Sequence, residues 1–248
     1  MKIKFPFFLF LFVVNSILLS AQITTYTNFK FNEDSFDVFI VKIDTASLKR
    51  FNIIENKELF KNSEFTSSIS KGTSLFSINA SINDSGCNPI GYCVRNFKET
   101  SAVNLKNGNG NFYLKPNGAL LIMEKSAVIC EASKIKNYNS IRLGIQSGPM
   151  LILNGVINSN FNASSTNKNI RSGVGFFTND KKESFLIFST SVNPISFYTF
   201  SLFFNKKFNC ANALCLESVN CSMNLPYLNS SSSKAANVIC NYIVYHIN

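Results

Sequence analysis

Gly144-Ile145-Gln146-Ser147-Gly148-Pro149-Met150-Leu151-Ile152-Leu153-Asn154-Gly155-Val156-Ile157 is the stretch around which the chain is organised. A polar elbow of Gln146, Ser147 and Gly148-Pro149 runs straight into four apolar residues. Asn154-Gly155 then reverses the chain, and Val156-Ile157 starts the return. Apolar run, Asn-Gly, apolar run is a hairpin pattern, because a type I′ turn needs φ > 0 at both central residues. Taken alone, Gly148-Pro149 reads as a tight turn. Rigid polar groups at the mouth of a buried strand also suit a ligand site, and the neighbouring segments decide between the two.

Downstream, residues 158–170 form a polar loop. Arg171-Ser172-Gly173-Val174-Gly175 then opens a strand over residues 171–177. An Arg beside two glycines suits an anion, since the guanidinium fork grips two oxygens while the backbone comes close. Residues 184–190 read as another strand. Phe197, Phe200, Ser201 and Phe204 fall on one helical face with Ser196 as N-cap, which predicts a helix. Residues 211–216 are a buried-type strand ending at Glu217-Ser218 and, further on, Ser222. Residues 238–247 form a last apolar strand.

Upstream, alternation predicts strands over residues 36–43 and 48–54, joined as an opening hairpin by a turn at Asp44-Thr45-Ala46-Ser47. Residues 63–71 suggest a short helix stopped by Gly72. The strand over residues 73–82 carries Asn79 towards a loop with Asp84, Gly86, Pro89 and Gly91. Residues 107–118 are dense in Asn and Gly, with a short strand expected at 112–115 and another at 119–123. No Gly-Lys-Ser/Thr phosphate loop occurs, and these glycines precede a strand rather than a helix. No internal repeat interrupts the chain. The expected fold class is α+β: a mixed, mainly antiparallel β-sheet core with few flanking helices.

The 248 residues carry a formal charge of +10, with 46% hydrophobic and 13% aromatic residues. The basic residues are scattered, which argues against nucleic acid and suits loose attraction to anionic substrates or surfaces. Residues 1–21 read as a secretory signal peptide: Lys2 and Lys4, then an apolar run, then small residues ending at Ala21. Cleavage before Gln22 is expected, leaving residues 22–248 as one periplasmic or secreted domain. No stable transmembrane segment is expected after that cleavage, nor stable association between copies. All seven Cys lie in the exported part, and export permits disulfides. Cys87 and Cys93 flank a turn and suit a short loop closure, while the odd count leaves at least one thiol unpaired.

The single His, His246, lies near the end of the chain, so Ser-His-Asp and Cys-His mechanisms lack a base. Carboxylates at strand ends remain, Asp84 and Glu217, with Arg171 as the cation. Paired carboxylates are the usual requirement of glycoside hydrolysis. No cofactor is required. The sequence leaves room for a divalent cation but shows no ligand set.

Five ordered segments then resemble one family, the phosphodiester glycosidases. These are Asn79-Ala80 with Pro89-Ile90-Gly91; Asn104-Leu105 with Gly110-Asn111-Phe112-Tyr113-Leu114-Lys115-Pro116-Asn117-Gly118; Gln146-Ser147-Gly148-Pro149-Met150-Leu151 with Asn154-Gly155; Arg171-Ser172-Gly173-Val174-Gly175; and Asn212-Ala213-Leu214-Cys215-Leu216. The motif-bearing core runs over about residues 71–228. The resemblance implies a hydrolase acting on a sugar-1-phosphodiester such as one linked to N-acetylglucosamine, in glycan or exopolysaccharide metabolism, with carbohydrate or sugar phosphate as partner. It implies Arg171 on the phosphate and Glu217 or Asp84 as base or charge stabiliser. Asn79, Asn111, Gln146, Ser147, Gly148 and Ser222 are implied to orient the substrate. Arg171, a carboxylate and Gln146 are accordingly expected to line one cleft.

One departure matters. Where the family has Leu-Asp-Gly, this chain has Leu216-Glu217-Ser218. The carboxylate sits one methylene further out, and a displacement of ~1 Å costs on the order of 10²-fold in rate. The alternative reading is therefore a weak or inactive member that binds an envelope glycan without cleaving it.

Overall fold

The computed structural model describes residues 23–56, 74–218, 220–228, 230–233 and 238–247. The expected signal peptide and the expected helix at 63–71 lie outside the described residues.

Three antiparallel sheets build the molecule. The first comprises β1 (Ile23–Phe31), β2 (Asp34–Lys42), β10 (Met150–Leu153), β11 (Val156–Ile157), β12 (Ser172–Thr178), β13 (Ser184–Ser191) and β14 (Asn212–Glu217), in the order β1-β2-β13-β12-β14-β10-β11. The second comprises β3 (Phe51–Glu55), β4 (Ser74–Asn79), β15 (Ser222–Leu225), β16 (Ser230–Ser233) and β17 (Asn241–His246), in the order β16-β15-β4-β17-β3. The third comprises β5 (Cys93–Arg95), β6 (Lys98–Ser101), β7 (Gly118–Ile122), β8 (Ala127–Glu131) and β9 (Leu143–Ser147), in the order β6-β5-β9-β7-β8. Helix is sparse: α1 (Thr45–Lys49), α2 (Phe197–Leu202) and short 3-10 or π turns.

The period of two along the strands sorts side chains between two cores. On β2, Phe39 and Val41 enter the central core with Phe76, Ile145, Phe188, Leu214 and Ile243, which come from all three sheets. Phe36 and Val38 face the other way, onto Phe200, Phe203 and Phe204 of the α2 region. Burying each such Phe stabilises the fold by roughly 1.5–3 kcal/mol. The Ser196 hydroxyl accepts from the Thr199 N–H, as an N-cap should. Gly173 and Gly175 let this layer approach β12. A Cβ on Gly173 would lie 3.0 Å from Phe200, and one on Gly175 would lie 2.7 Å from Phe204 and from Cys210 Sγ. The two glycines thus serve the packing of the α2 region onto β12.

The Asn154-Gly155 turn forms as its sequence dictates, with φ of 51° and 80° and Leu153 paired to Val156. Three local expectations are corrected. The first hairpin is β1–β2, not one joining residues 36–43 to 48–54: β3 pairs with β17, and Asp44 caps α1 through the Ser47 N–H. Residues 112–115 are no strand; Asn111–Tyr113 is a 3-10 turn. Cys87 bonds to Cys240, 153 residues away, while Cys93, Cys130, Cys210, Cys215 and Cys221 are buried free thiols. Among the described residues, no helix is long and apolar enough to cross a membrane.

Candidate active site

Several chain segments meet where β14 ends. Glu217 closes that strand, and its register partner is Ser172, which brings Arg171 alongside. The Ser147 hydroxyl, at the end of β9, donates to the Leu216 carbonyl at 3.1 Å. Asn111 Nδ2 donates to Ser218 Oγ at 2.5 Å. Where β15 begins, the Ser222 N–H donates to Asn79 Oδ1 at 3.0 Å, and Asn79 is the last residue of β4. The Cys221 thiol, next to Ser222, donates to the Ile170 carbonyl at 3.1 Å, which brings Ser222 and Asn79 to the same strand end as Arg171, Glu217, Asn111 and Ser147.

Arg171 is 1% exposed. Its Nε donates to the Ile195 carbonyl at 2.8 Å, its Nη2 donates to the Asn167 carbonyl at 3.1 Å, and its guanidinium carbon lies 3.6 Å from the centre of the Phe197 ring. Nη1 is buried without a partner, and no carboxylate pairs with Arg171 among the described residues. Burial lowers its pKa, because the charged form is desolvated. Two thiols flank it. Burial pushes the Cys221 thiol up to about 12 and Cys215 well above its ordinary range; the Arg171 charge opposes the rise and Glu217 adds to it in both. Arg171 and Glu217 thus act on the same two groups. Glu217 Oε1 accepts the Ser218 N–H at 2.7 Å, which fixes that oxygen. Asn79 Nδ2 is a second buried polar atom without a partner.

Gly148 holds the elbow by its lack of a side chain, since a Cβ would meet Asn117 Cβ at 2.8 Å and the Phe112 carbonyl at 2.9 Å. The Gly148-Pro149 bond is cis.

Two expected members are elsewhere. Gln146 alternates with Ser147 along β9 and so points to the opposite face. Its Oε1 accepts the Tyr92 and Asn104 N–H groups, each at 2.9 Å, and its Nε2 donates to the Asn104 carbonyl at 2.6 Å. It clamps two backbone segments instead of facing a cleft with Arg171. Asp84 nucleates its own exposed loop, its Oδ1 accepting the Gly86 and Asn88 N–H groups at 2.9 Å. Those hydrogen bonds, the Asn88 backbone bond foremost, lower its pKa. The nearby Cys87–Cys240 bond ties this loop to the approach to β17.

Sequence reasoning missed Phe197 as the ring covering Arg171 and Ser218 as the acceptor for Asn111. The helix pattern had marked Phe197 only for packing. Of two surface hollows, of about 700 and about 450 Å³, the larger lies away from the cluster. The smaller is lined by Phe161, whose ring stacks on Phe197 at 5.2 Å. Among the described residues, no group of three or more His, Cys, Asp or Glu side chains could hold a metal ion.

The fold is of a phosphodiester glycosidase-like class. The sequence model of the phosphodiester glycosidase family matches residues 69–217, and the chain belongs to that family. A relative in Escherichia coli (strain K12), the uncharacterized protein YigE, is 31% identical over 148 residues, which cover 60% of this chain and 57% of YigE. The chain thus spans less than two thirds of that relative's length. Among solved structures, the catalytic domain of zebrafish N-acetylglucosamine-1-phosphodiester alpha-N-acetylglucosaminidase, auto-inhibited by its pro-peptide, superposes with a TM-score of 0.60 at 15% identity, covering 91% of this chain and 82% of that one. A hypothetical protein from Synechocystis gives 0.55 at 13% identity, covering 92% and 62%. At these identities the two structures speak for the fold alone.

Proposed function

We propose that this chain is an exported hydrolase that cleaves a sugar-1-phosphodiester, with N-acetylglucosamine phosphate as the favoured group, in glycan or exopolysaccharide metabolism. The observation that carries the reading is Arg171: a cation sealed from water, with Nη1 unpartnered and, among the described residues, no carboxylate in ion-pair contact with it. A buried charge without a counter-charge is costly, and a phosphate would supply one together with an acceptor for the free N–H. The departing phosphate monoester is a weak base, so the step needs no dedicated proton donor such as a His. Glu217 stabilises positive charge at the anomeric carbon or takes the proton of the attacking water. Asn79 Nδ2, Ser147 and Ser222 orient the sugar. The Phe197 ring covers Arg171 and the Phe161 ring stacks on Phe197, so this reading requires a bound substrate to displace them. The Cys87–Cys240 bond supports export into an oxidising compartment.

A second reading, binding without cleavage, is favoured by one contact: Ser218 Oγ occupies the Asn111 amide. The test is free-sugar release from a methyl N-acetylglucosamine-1-phosphodiester by the purified protein, beside Arg171→Ala and Glu217→Gln. Release lost in both variants supports hydrolysis. No release, but a melting temperature raised by the diester in the parent and not in Arg171→Ala, supports binding. Neither response overturns both readings.

A further inference from the structure

The larger hollow lies at the opposite pole from the candidate active site. It is lined by Lys49, Arg50, Asn52, Asn96, Arg142 and His246, besides Ala46 and Phe51. Arg142 precedes β9, and Ser147 ends it; likewise His246 pairs with Ser74 at the start of β4, whereas Asn79 ends that strand. Five strand residues separate the two sites by roughly 17 Å.

Lys49, Arg50 and Arg142 bring three positive charges to the hollow's lining and, among the described residues, no acidic side chain lines it. The basic wall is held in place. Arg142 Nη1 donates to the Phe51 carbonyl at 3.0 Å and its Nη2 donates to the Leu48 carbonyl, while Nε is buried without a partner. Lys49 sits in the last turn of α1. The His246 N–H donates to the Arg50 carbonyl at 3.0 Å. Two amide side chains, Asn52 and Asn96, add groups that can both donate and accept.

A separate observation comes from the β5–β6 turn, whose Asn96 lines the hollow. Asn96 and Phe97 take φ of 47° and 66°, with Arg95 paired to Lys98, so this is a two-residue turn of the type that favours Asn-Gly. Phe97 stands where Gly belongs. Its N–H donates to the Arg142 carbonyl at 3.0 Å, and its ring is 51% exposed. A bulky residue in the left-handed region is strained, and this exposed aromatic directly follows Asn96 of the hollow's lining without lining the hollow itself. An aromatic plate, amide groups and a cluster of cations together match an acidic sugar: ring face on ring, hydroxyls on amides, carboxylates on cations.

We infer that this hollow is a second, non-catalytic binding site for an anionic oligosaccharide, whose chain extends past Asn96 onto the exposed Phe97 ring. It stands independently of the hydrolytic reading, because no residue is shared with the Arg171 cluster.

The test is calorimetric titration of the mature chain at low salt with tetragalacturonate, a neutral maltotetraose control and inorganic phosphate. Tetragalacturonate is expected to bind at least about tenfold more tightly than either control, and raised salt should weaken it. Phe97→Gly is expected to weaken binding about tenfold without lowering the melting temperature, since Gly suits the turn better. Lys49→Gln with Arg50→Gln should flatten the salt dependence. Arg171→Ala should leave binding unchanged. Equal affinity for the neutral sugar or for phosphate, full binding by Phe97→Gly, or loss of binding in Arg171→Ala would each overturn the assignment.

Discussion

Asn111 Nδ2 and Ser218 Oγ lie 2.5 Å apart, joining the Gly110-Asn111-Phe112 turn to the residue just beyond Glu217. Ser218 stands where the resemblance to the family's Leu-Asp-Gly segment implies Gly. Its backbone is not in the left-handed region, so no conformational demand for Gly is violated. The consequence is chemical: the hydroxyl takes an amide that a Gly would leave available to a sugar.

Ser218→Gly is therefore expected to release Asn111 and to raise the rate of sugar-1-phosphodiester hydrolysis several-fold. It should cost less than about 1 kcal/mol of stability, the usual range for a backbone freed by Gly. Steady-state kinetics beside a denaturant melt checks both. An unchanged kcat with intact folding would sever Asn111 from the reaction.

Arg171→Lys is expected to fail as a replacement. A single ammonium cannot reach the Ile195 and Asn167 carbonyls and an anion at once, whereas the guanidinium fork has donors for all three. Sugar phosphate at about 100 times its Kd should stabilise the parent by about 2.7 kcal/mol. Neither Arg171→Lys nor Arg171→Ala should show that shift in thermal melts.

Gln146→Ala tests the clamp. It strips the partners from the Tyr92 and Asn104 N–H groups, so a loss of about 2–4 kcal/mol is expected from buried donors left unsatisfied. At a temperature where the variant remains folded, KM for the phosphodiester should stay near the parent value. A raised KM with full stability would return Gln146 to the substrate.

Local pattern made much of this structure legible. Asn154-Gly155 declared its turn, Ser196 its helix, and the alternation along β2 its two buried faces. The gathering of Arg171, Glu217, Asn79 and Ser147 followed from their places at strand ends. Pairing over distance was not legible. Nothing near Cys87 points to Cys240, and nothing near β3 points to β17 in place of β2. The Gln146 misplacement was readable in principle, because adjacent residues of one strand cannot share a face. Gly173 and Gly175 mislead in another way: their need for close approach is real, but Phe200 and Phe204 are what approaches.

The buried thiols set an alkaline limit. Burial raises Cys130 from 9.0 to about 11 and Cys221 to about 12. Between those values and 9.0 the native chain keeps protons that the unfolded chain has lost. Stability from these groups is thus complete below pH 9.0 and falls as pH rises beyond it. Melting temperature should be level around neutrality and drop above about pH 9, with a shallower drop in Cys130→Ala. Iodoacetamide should label none of the buried thiols in the native state at neutral pH.

The Cys87–Cys240 bond closes a loop spanning 153 residues and ties the Asp84 loop to the strand that pairs with both β3 and β4. Closing so long a loop removes much of the freedom of the unfolded chain, and losing a native bond of this kind costs about 2–5 kcal/mol. Cys87→Ser with Cys240→Ser is expected to lower stability by that amount in denaturant melts. Since Asn79 passes straight from β4 into this region, with the Ala80 N–H donating to the Asn241 carbonyl at 2.8 Å, the double variant should also weaken the sugar phosphate thermal shift. A variant that melts earlier yet keeps the full shift would separate the fastening of the loop from the placement of Asn79.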